Sequence, residues 1–194
     1  MKFFSTTLAA IAAASMLVLG APQADAGDFK GKFKFTSKAP KEDIFGTATG
    51  KAALSGDLAD ITTVKGSITV PVKTMETGNT VRDDHLRSPD WLDEAKYPNI
   101  VFDVESVALD GAISEEKGMK AAKVKVTGKF TLHGVTTPLT SDATIKWKED
   151  GKAKITTSFT IALADYQVKG KAGIVGRKVG STIACEATLV GSLK

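Results

Sequence analysis

VKVTGKFTLHGVTTPLTSDATIKW, Val124 to Trp147, is the stretch that decides the fold. Val124, Val126, Gly128, Phe130 and Leu132 fall on one side of an extended chain, and Lys123, Lys125, Thr127 and Lys129 fall on the other. A period of two with one apolar side marks a half-buried strand. His133-Gly134 then reverses the chain, since both residue types tolerate a positive φ. Alternation resumes with Ala143, Ile145 and Trp147 against Thr144, Lys146 and Lys148.

The same pattern recurs on both sides. Phe29, Gly31, Phe33 and Phe35 alternate with Lys30, Lys32, Lys34 and Thr36. Val64, Gly66, Ile68 and Val70 form another apolar side, as do Ile100, Phe102 and Val104, and then Ile155, Thr157, Phe159 and Ile161. A last strand lies near Thr182 to Val190, and a weaker one near Gly46 to Ala53 brings the number to about eight. Asp150-Gly151 centres a tight hairpin, and Leu109-Asp110-Gly111 opens a longer loop to Met119. Many short antiparallel strands with one apolar face build a sandwich or a barrel. Phe33, Phe35, Ile68, Phe102, Phe130, Trp147 and Phe159 are expected to point inward, because each lies on the apolar side of its strand. Periodicity assigns faces. Whether the interior is filled or hollow, and which end is open, it leaves undecided.

One segment breaks the pattern. TVRDDHLRSPDWLDEAKYPN, Thr80 to Asn99, is polar and helical in character. Thr80 with Asp83 has the spacing of a capping box. Ser88 before Pro89 and Asp90 has the form of a second helix start, and Tyr97-Pro98 ends the segment. Two short helices are expected to close one end of the barrel or lie across its side.

The chain of 194 residues carries a formal charge of +4. Its lysines are scattered along strand faces, with no basic block and no interleaved aromatic platform of the kind single-strand nucleic-acid binders use. Cys185 is the single cysteine, on the apolar side of Ile183, Ala187 and Leu189, and reads as an inert packed thiol. Lys2, the apolar run Leu8 to Leu19 and Ala24-Asp25-Ala26 have the form of a signal peptide cleaved after Ala26. That leaves one domain, residues 27–194, expected to be secreted and without a transmembrane segment.

Few groups offer chemistry. Ser88, His85 and a neighbouring Asp have the composition of a hydrolytic triad, but there is no G-x-S-x-G elbow, and Pro89 removes a backbone N–H that an oxyanion hole would use. Arg82, Asp84 and His85 read instead as a structural network in which each satisfies another. Two histidines and one cysteine, at no zinc spacing, give no metal site. GKAGIVGRKVG, Gly170 to Gly180, fails the phosphate-loop spacing and reads as a loop. If it borders the mouth, Lys171, Arg177 and Lys178 are placed to meet an anionic head group.

Two phrases carry a family resemblance: RDDHLRSPDWLDEAKYP, Arg82 to Pro98, and TLHGVT, Thr131 to Thr136. Together they resemble the YceI-like periplasmic proteins that bind lipids or polyisoprenoids, and the resemblance covers essentially all of residues 27–194. It implies an all-β, antiparallel, eight-stranded lipocalin-like barrel with a helical insertion near residues 80–97. It also implies a periplasmic location, an isoprenoid or other lipid along the interior, and neither cofactor nor catalysis. Arg82, Asp84, His85, Trp91, Tyr97 and His133 are the motif residues it marks as a structural cluster. The expected function is that of a carrier for a long apolar amphiphile. The rivals are an envelope protein–protein module with a filled barrel and, behind it, a hydrolase using Ser88 and His85.

Overall fold

A computed structural model describes residues 26–194. The signal-peptide reading of residues 1–25 lies outside the described residues. Nine strands run in the order β1 (Gly27–Ser37), β2 (Ile44–Ser55), β3 (Lys65–Pro71), β4 (Asn99–Leu109), β5 (Ser114–Glu116), β6 (Met119–Leu132), β7 (Val135–Trp147), β8 (Lys152–Ala162) and β9 (Thr182–Ser192). All pairings are antiparallel, in the spatial order β4-β3-β2-β1-β9-β8-β7-β6, and β4 pairs with β6 to close the ring. Eight strands make the barrel. The ninth, β5, is a flap on the far end of β6, set within the stretch expected to be only a loop.

The strand that reads as weak is one of the longest. β2 pairs with β1 without a break from Gly27 opposite Leu54 to Ser37 opposite Ile44. Its inward positions are Gly46, Ala48, Gly50, Ala52 and Leu54, so it shows little hydrophobic signal. The neighbours explain the small residues: a Cβ at Gly46 would collide with the Phe35 ring, and one at Gly31 with the Phe33 ring. Rings laid over glycine protect an otherwise bare backbone. They also lie flat along the wall rather than filling the middle.

The ends differ. Residues 56–64 cross one end, with Ile61 and Val64 buried there beside Leu193. Trp147, 2% exposed, donates its indole N–H to the Leu58 carbonyl at 3.3 Å. This end is closed. At the other end the β7–β8 ladder stops at Asp142 opposite Ser158, leaving the first half of β7 without β8. Pro138, which cannot donate to a ladder, falls in that unpaired stretch. A 3₁₀ turn at Leu163–Tyr166 covers the seam, and the Tyr166 hydroxyl meets the Thr137 hydroxyl at 2.6 Å.

The lysines are less scattered on the barrel than along the chain. Register sets Lys51 opposite Lys30, Lys30 opposite Val190, Val190 opposite Lys154, and Lys154 opposite Lys146. One rung of the outer wall therefore gathers four cations. Elsewhere Lys125 meets Asp142 at 2.7 Å and Lys129 meets Glu105 at 3.1 Å.

Candidate functional site

The barrel is hollow. An inner cavity of about 140 Å³ lies between the closed end and mid-barrel, its walls almost wholly apolar. Phe33, Phe35, Ile68, Phe102, Phe130 and Phe159 line it, as their alternation requires. Trp147 does not: it is inward, but it packs into the floor below the cavity. Trp147 is therefore inward, as expected, but off the cavity lining. Its indole reaches back to residues 56–64 because a buried N–H must find an acceptor.

Above the inner cavity is a vestibule of about 730 Å³. The two meet at a neck of Phe35, Met75, Ile100, Phe130 and Cys185, which line both. Phe130 is held there by edge-to-face contacts with Phe159 and Tyr166, at centroid distances of 5.8 and 5.5 Å. Burial pushes the Cys185 thiol up to about 12, which keeps it a neutral apolar group in the wall.

Three segments form the vestibule rim: the 38–43 connection, helix α1 (Thr80–Arg87), and the 170–180 loop. Lys171 and Lys178 line the vestibule, whereas Arg177 is exposed and lies off it. Lys41 and Arg82 also line it. Lys41 was not singled out from the sequence, although the charged bend KAPKED was its signal.

The insertion is anchored differently from expectation. A single helix forms, and its N-cap is Asn79, whose side chain accepts from the Arg82 amide at 3.0 Å. Ser88 caps no second helix; the chain continues through turns. Asp84 and His85 are exposed and do not satisfy Arg82. The buried anchor is Asp83, 7% exposed, which accepts from the Thr77 amide at 2.8 Å and the Thr77 hydroxyl at 2.5 Å. Arg82 donates to the same hydroxyl at 2.9 Å and to the Thr77 carbonyl at 3.0 Å. Arg87 donates to the Met75 carbonyl at 3.0 Å. Side chains two positions apart in the motif thus face opposite ways, because helical geometry turns Asp83 inward and His85 toward the vestibule.

The rest of the motif packs the fold, and Trp91 also lines the vestibule. Trp91 packs with the upper core and lies against Gly170 of the rim loop. Tyr97 stacks edge-on to His133 at 5.1 Å. His133 sits at φ 51° in its turn, with Nδ1 3.2 Å from the Tyr166 carbonyl. Ser88 Oγ donates to the His85 backbone carbonyl at 2.7 Å rather than to its ring, so the pair lacks the geometry of a nucleophile and its base.

Asp83→Ala is expected to cost about 1–3 kcal/mol, since it leaves the half-buried Thr77 donors without their acceptor. His85→Ala, at an exposed position, is expected to stay within about 0.5 kcal/mol of the parent. Urea midpoints of the two variants check the contrast; the reverse order would restore His85 as the anchor.

The YceI-like domain family matches residues 13–190. Protein YceI of Escherichia coli O6:H1 is 30% identical over 164 residues, spanning 82% of this chain and 70% of that relative. Among solved structures, Burkholderia cenocepacia BcnA superposes with a TM-score of 0.70 at 20% identity, over 82% of this chain and 95% of that one. A polyisoprenoid binding domain from Saccharophagus degradans, implicated in plant cell wall breakdown, superposes with a TM-score of 0.65 at 16% identity, over 88% of this chain and 100% of that one. These likenesses show the same barrel.

Proposed function

The chain belongs to the YceI-like family, and from that premise we propose that it is a binding protein, not an enzyme, that carries a long apolar amphiphile in its barrel. A polyisoprenoid or another lipid is the ligand class. The observation that carries this reading is the hollow interior: an apolar inner cavity joined by an apolar neck to a vestibule with charged groups at its rim. A vestibule of this size falls within the ~300–1,000 Å³ of ordinary ligand pockets. The polyisoprenoid binding named for the Saccharophagus degradans domain supports the same class.

The inner cavity admits only the end of a chain. An apolar gap of about 150 Å³ takes a benzene-sized group, which is close to one isoprene unit. The remainder of the tail lies in the neck and vestibule, and the head group rests at the rim. Burying about 20 methylene-equivalents at ~0.8 kcal/mol each would yield about 16 kcal/mol. Association and ordering offset about 4–15 kcal/mol of that, which leaves about 1–12 kcal/mol, a range whose favourable half reaches micromolar or tighter binding. A filled-barrel interaction module would leave the cavities without a role.

A charged head belongs at the mouth, because desolvating it mid-barrel is costly. Lys171 and Lys178 are the groups we assign to an anionic head, with Arg177 outside the contact. Reversing Lys171 and Lys178 to Glu should weaken binding of a prenyl phosphate more than that of the neutral prenyl alcohol, and added salt should narrow the difference. Arg177→Glu alone should change little. Equal losses for both ligands would remove the head-group assignment. The chain is proposed to act in the periplasm after cleavage of its N-terminal segment following Ala26, which would place it in the envelope with such lipids.

A further inference from the structure

The six exposed large hydrophobic residues among the described residues are not spread evenly. Val81 and Phe45 are the most exposed, at 64% and 63%, and both sit at the mouth. Val81 is in the first turn of α1 and lines the vestibule. Phe45 follows the vestibule residue Ile44 at the start of β2 and points to the outside of the barrel, opposite Thr36. Leu109, Ile113 and Met119 lie instead around the β5 flap at the other end.

Cations lie in the rim segments at the same mouth, and Lys41, Lys171 and Lys178 line the vestibule with Val81. Lys38 and Lys41 are in the connection before β2, and Lys171, Arg177 and Lys178 are in the rim loop. The Gly180 amide donates to Ser37 Oγ at 2.8 Å, which ties the two loops together. None of the five cations has an acidic partner within 4.0 Å among the described residues. The acids of these loops and α1 are mostly engaged: Glu42 faces Arg82 at 3.9 Å, Asp84 faces Arg87 at 3.7 Å, and Asp83 is buried on Thr77. Asp43 and Glu76, which bridges Thr47 beside Phe45, stand against the five.

We propose that this rim is a docking surface for an anionic lipid bilayer. Phe45 and Val81 enter the headgroup layer, the five cations meet lipid phosphates, and the vestibule opens onto the membrane. Exposed apolar side chains at a rim that also carries unpaired cations are the combination that binds an anionic interface, where burial and electrostatic attraction add. The vestibule at the same end gives the surface a purpose, since a long amphiphile is then taken up or released without crossing water. The docking rests on the rim alone; the transfer through it rests on the binding reading above.

The test is flotation of residues 27–194 on vesicles of phosphatidylcholine with and without phosphatidylglycerol. The wild type should float with the anionic vesicles and scarcely with the neutral ones, and salt should release it. Phe45→Ser with Lys38→Ser removes one apolar and one charged contact, and neither residue lines a cavity. Losing one cation should weaken partitioning about fivefold, and losing Phe45 should weaken it further. The same variant should bind farnesyl phosphate in solution as the wild type does. No flotation on anionic vesicles, or undiminished flotation of the variant, would overturn the proposal. So would self-association of the wild type that Phe45→Ser abolishes, because the face would then belong to a second copy. Intact flotation with no binding of farnesyl phosphate would remove the carrier reading and leave the docking surface standing.

Discussion

Replacing Ala187 with phenylalanine is expected to abolish tail binding while leaving the barrel about as stable as the parent. Ala187 is buried on β9, opposite Phe33 on β1 and Thr157 on β8, and its side chain lines the inner cavity. A phenyl ring there occupies the space assigned to the last isoprene unit. Excluding about five methylene-equivalents at ~0.8 kcal/mol each removes about 4 kcal/mol, close to a thousandfold in affinity. Filling the gap returns part of the stability that an empty cavity forfeits, at about 24 cal/mol per Å³. Tight fitting costs about 1–3 kcal/mol in the other direction, so the two nearly cancel. Calorimetric titration with farnesyl phosphate reads the first quantity and a urea midpoint reads the second. Unchanged affinity with a normal midpoint would show that the ligand does not use the inner cavity.

Trp147→Ala should behave in the opposite way. Trp147 is among the largest fully buried side chains and seals the floor through the Leu58 carbonyl. Its truncation is expected to cost about 3–5 kcal/mol. It does not line the cavity, so affinity for farnesyl phosphate should hold wherever the variant remains folded. Trp147→Phe, which keeps most of the volume and loses the N–H, should fall between the parent and Ala in stability. A large loss of affinity with little loss of stability would move Trp147 from the floor into the site.

The two residues show where sequence reading succeeds and where it stops. Both lie on the apolar side of a strand, and alternation puts both inside. Depth along the barrel depends on register and on what covers each end, and residues 56–63 carry no periodic signal that they will form a floor. The barrel was legible because a period of two survives in most strands. β2 read as weak because its inward face is Gly and Ala, and those small residues are what the Phe33 and Phe35 rings require. The start of β7, VTTPLT, lacks alternation; it is held in the sheet by pairing with β6 from Leu132 opposite Val135 onward. The lysine rung across β2, β1, β9, β8 and β7 was invisible for a related reason: only the registers of four separate strand pairs bring those side chains level.

The insertion was legible as a unit and misread within. Its polar, helix-capping character located α1, but the sequence could not tell which of Asp83, Asp84 and His85 turns inward. Thr77, which decides it, lies before the motif and has no distinguishing pattern of its own. Hollowness was also out of reach, because alternation fixes the side on which a residue lies and says nothing of how far opposite walls stand apart.

Native mass spectrometry of the protein purified from its own source, followed by lipid extraction, tests the carrier reading most directly. The expected result is a population carrying one apolar amphiphile per chain, identified as an isoprenoid or other long-chain lipid and absent from the Ala187→Phe variant. A chain that is always empty as purified and takes up no prenyl phosphate or prenyl alcohol when these are supplied would contradict it.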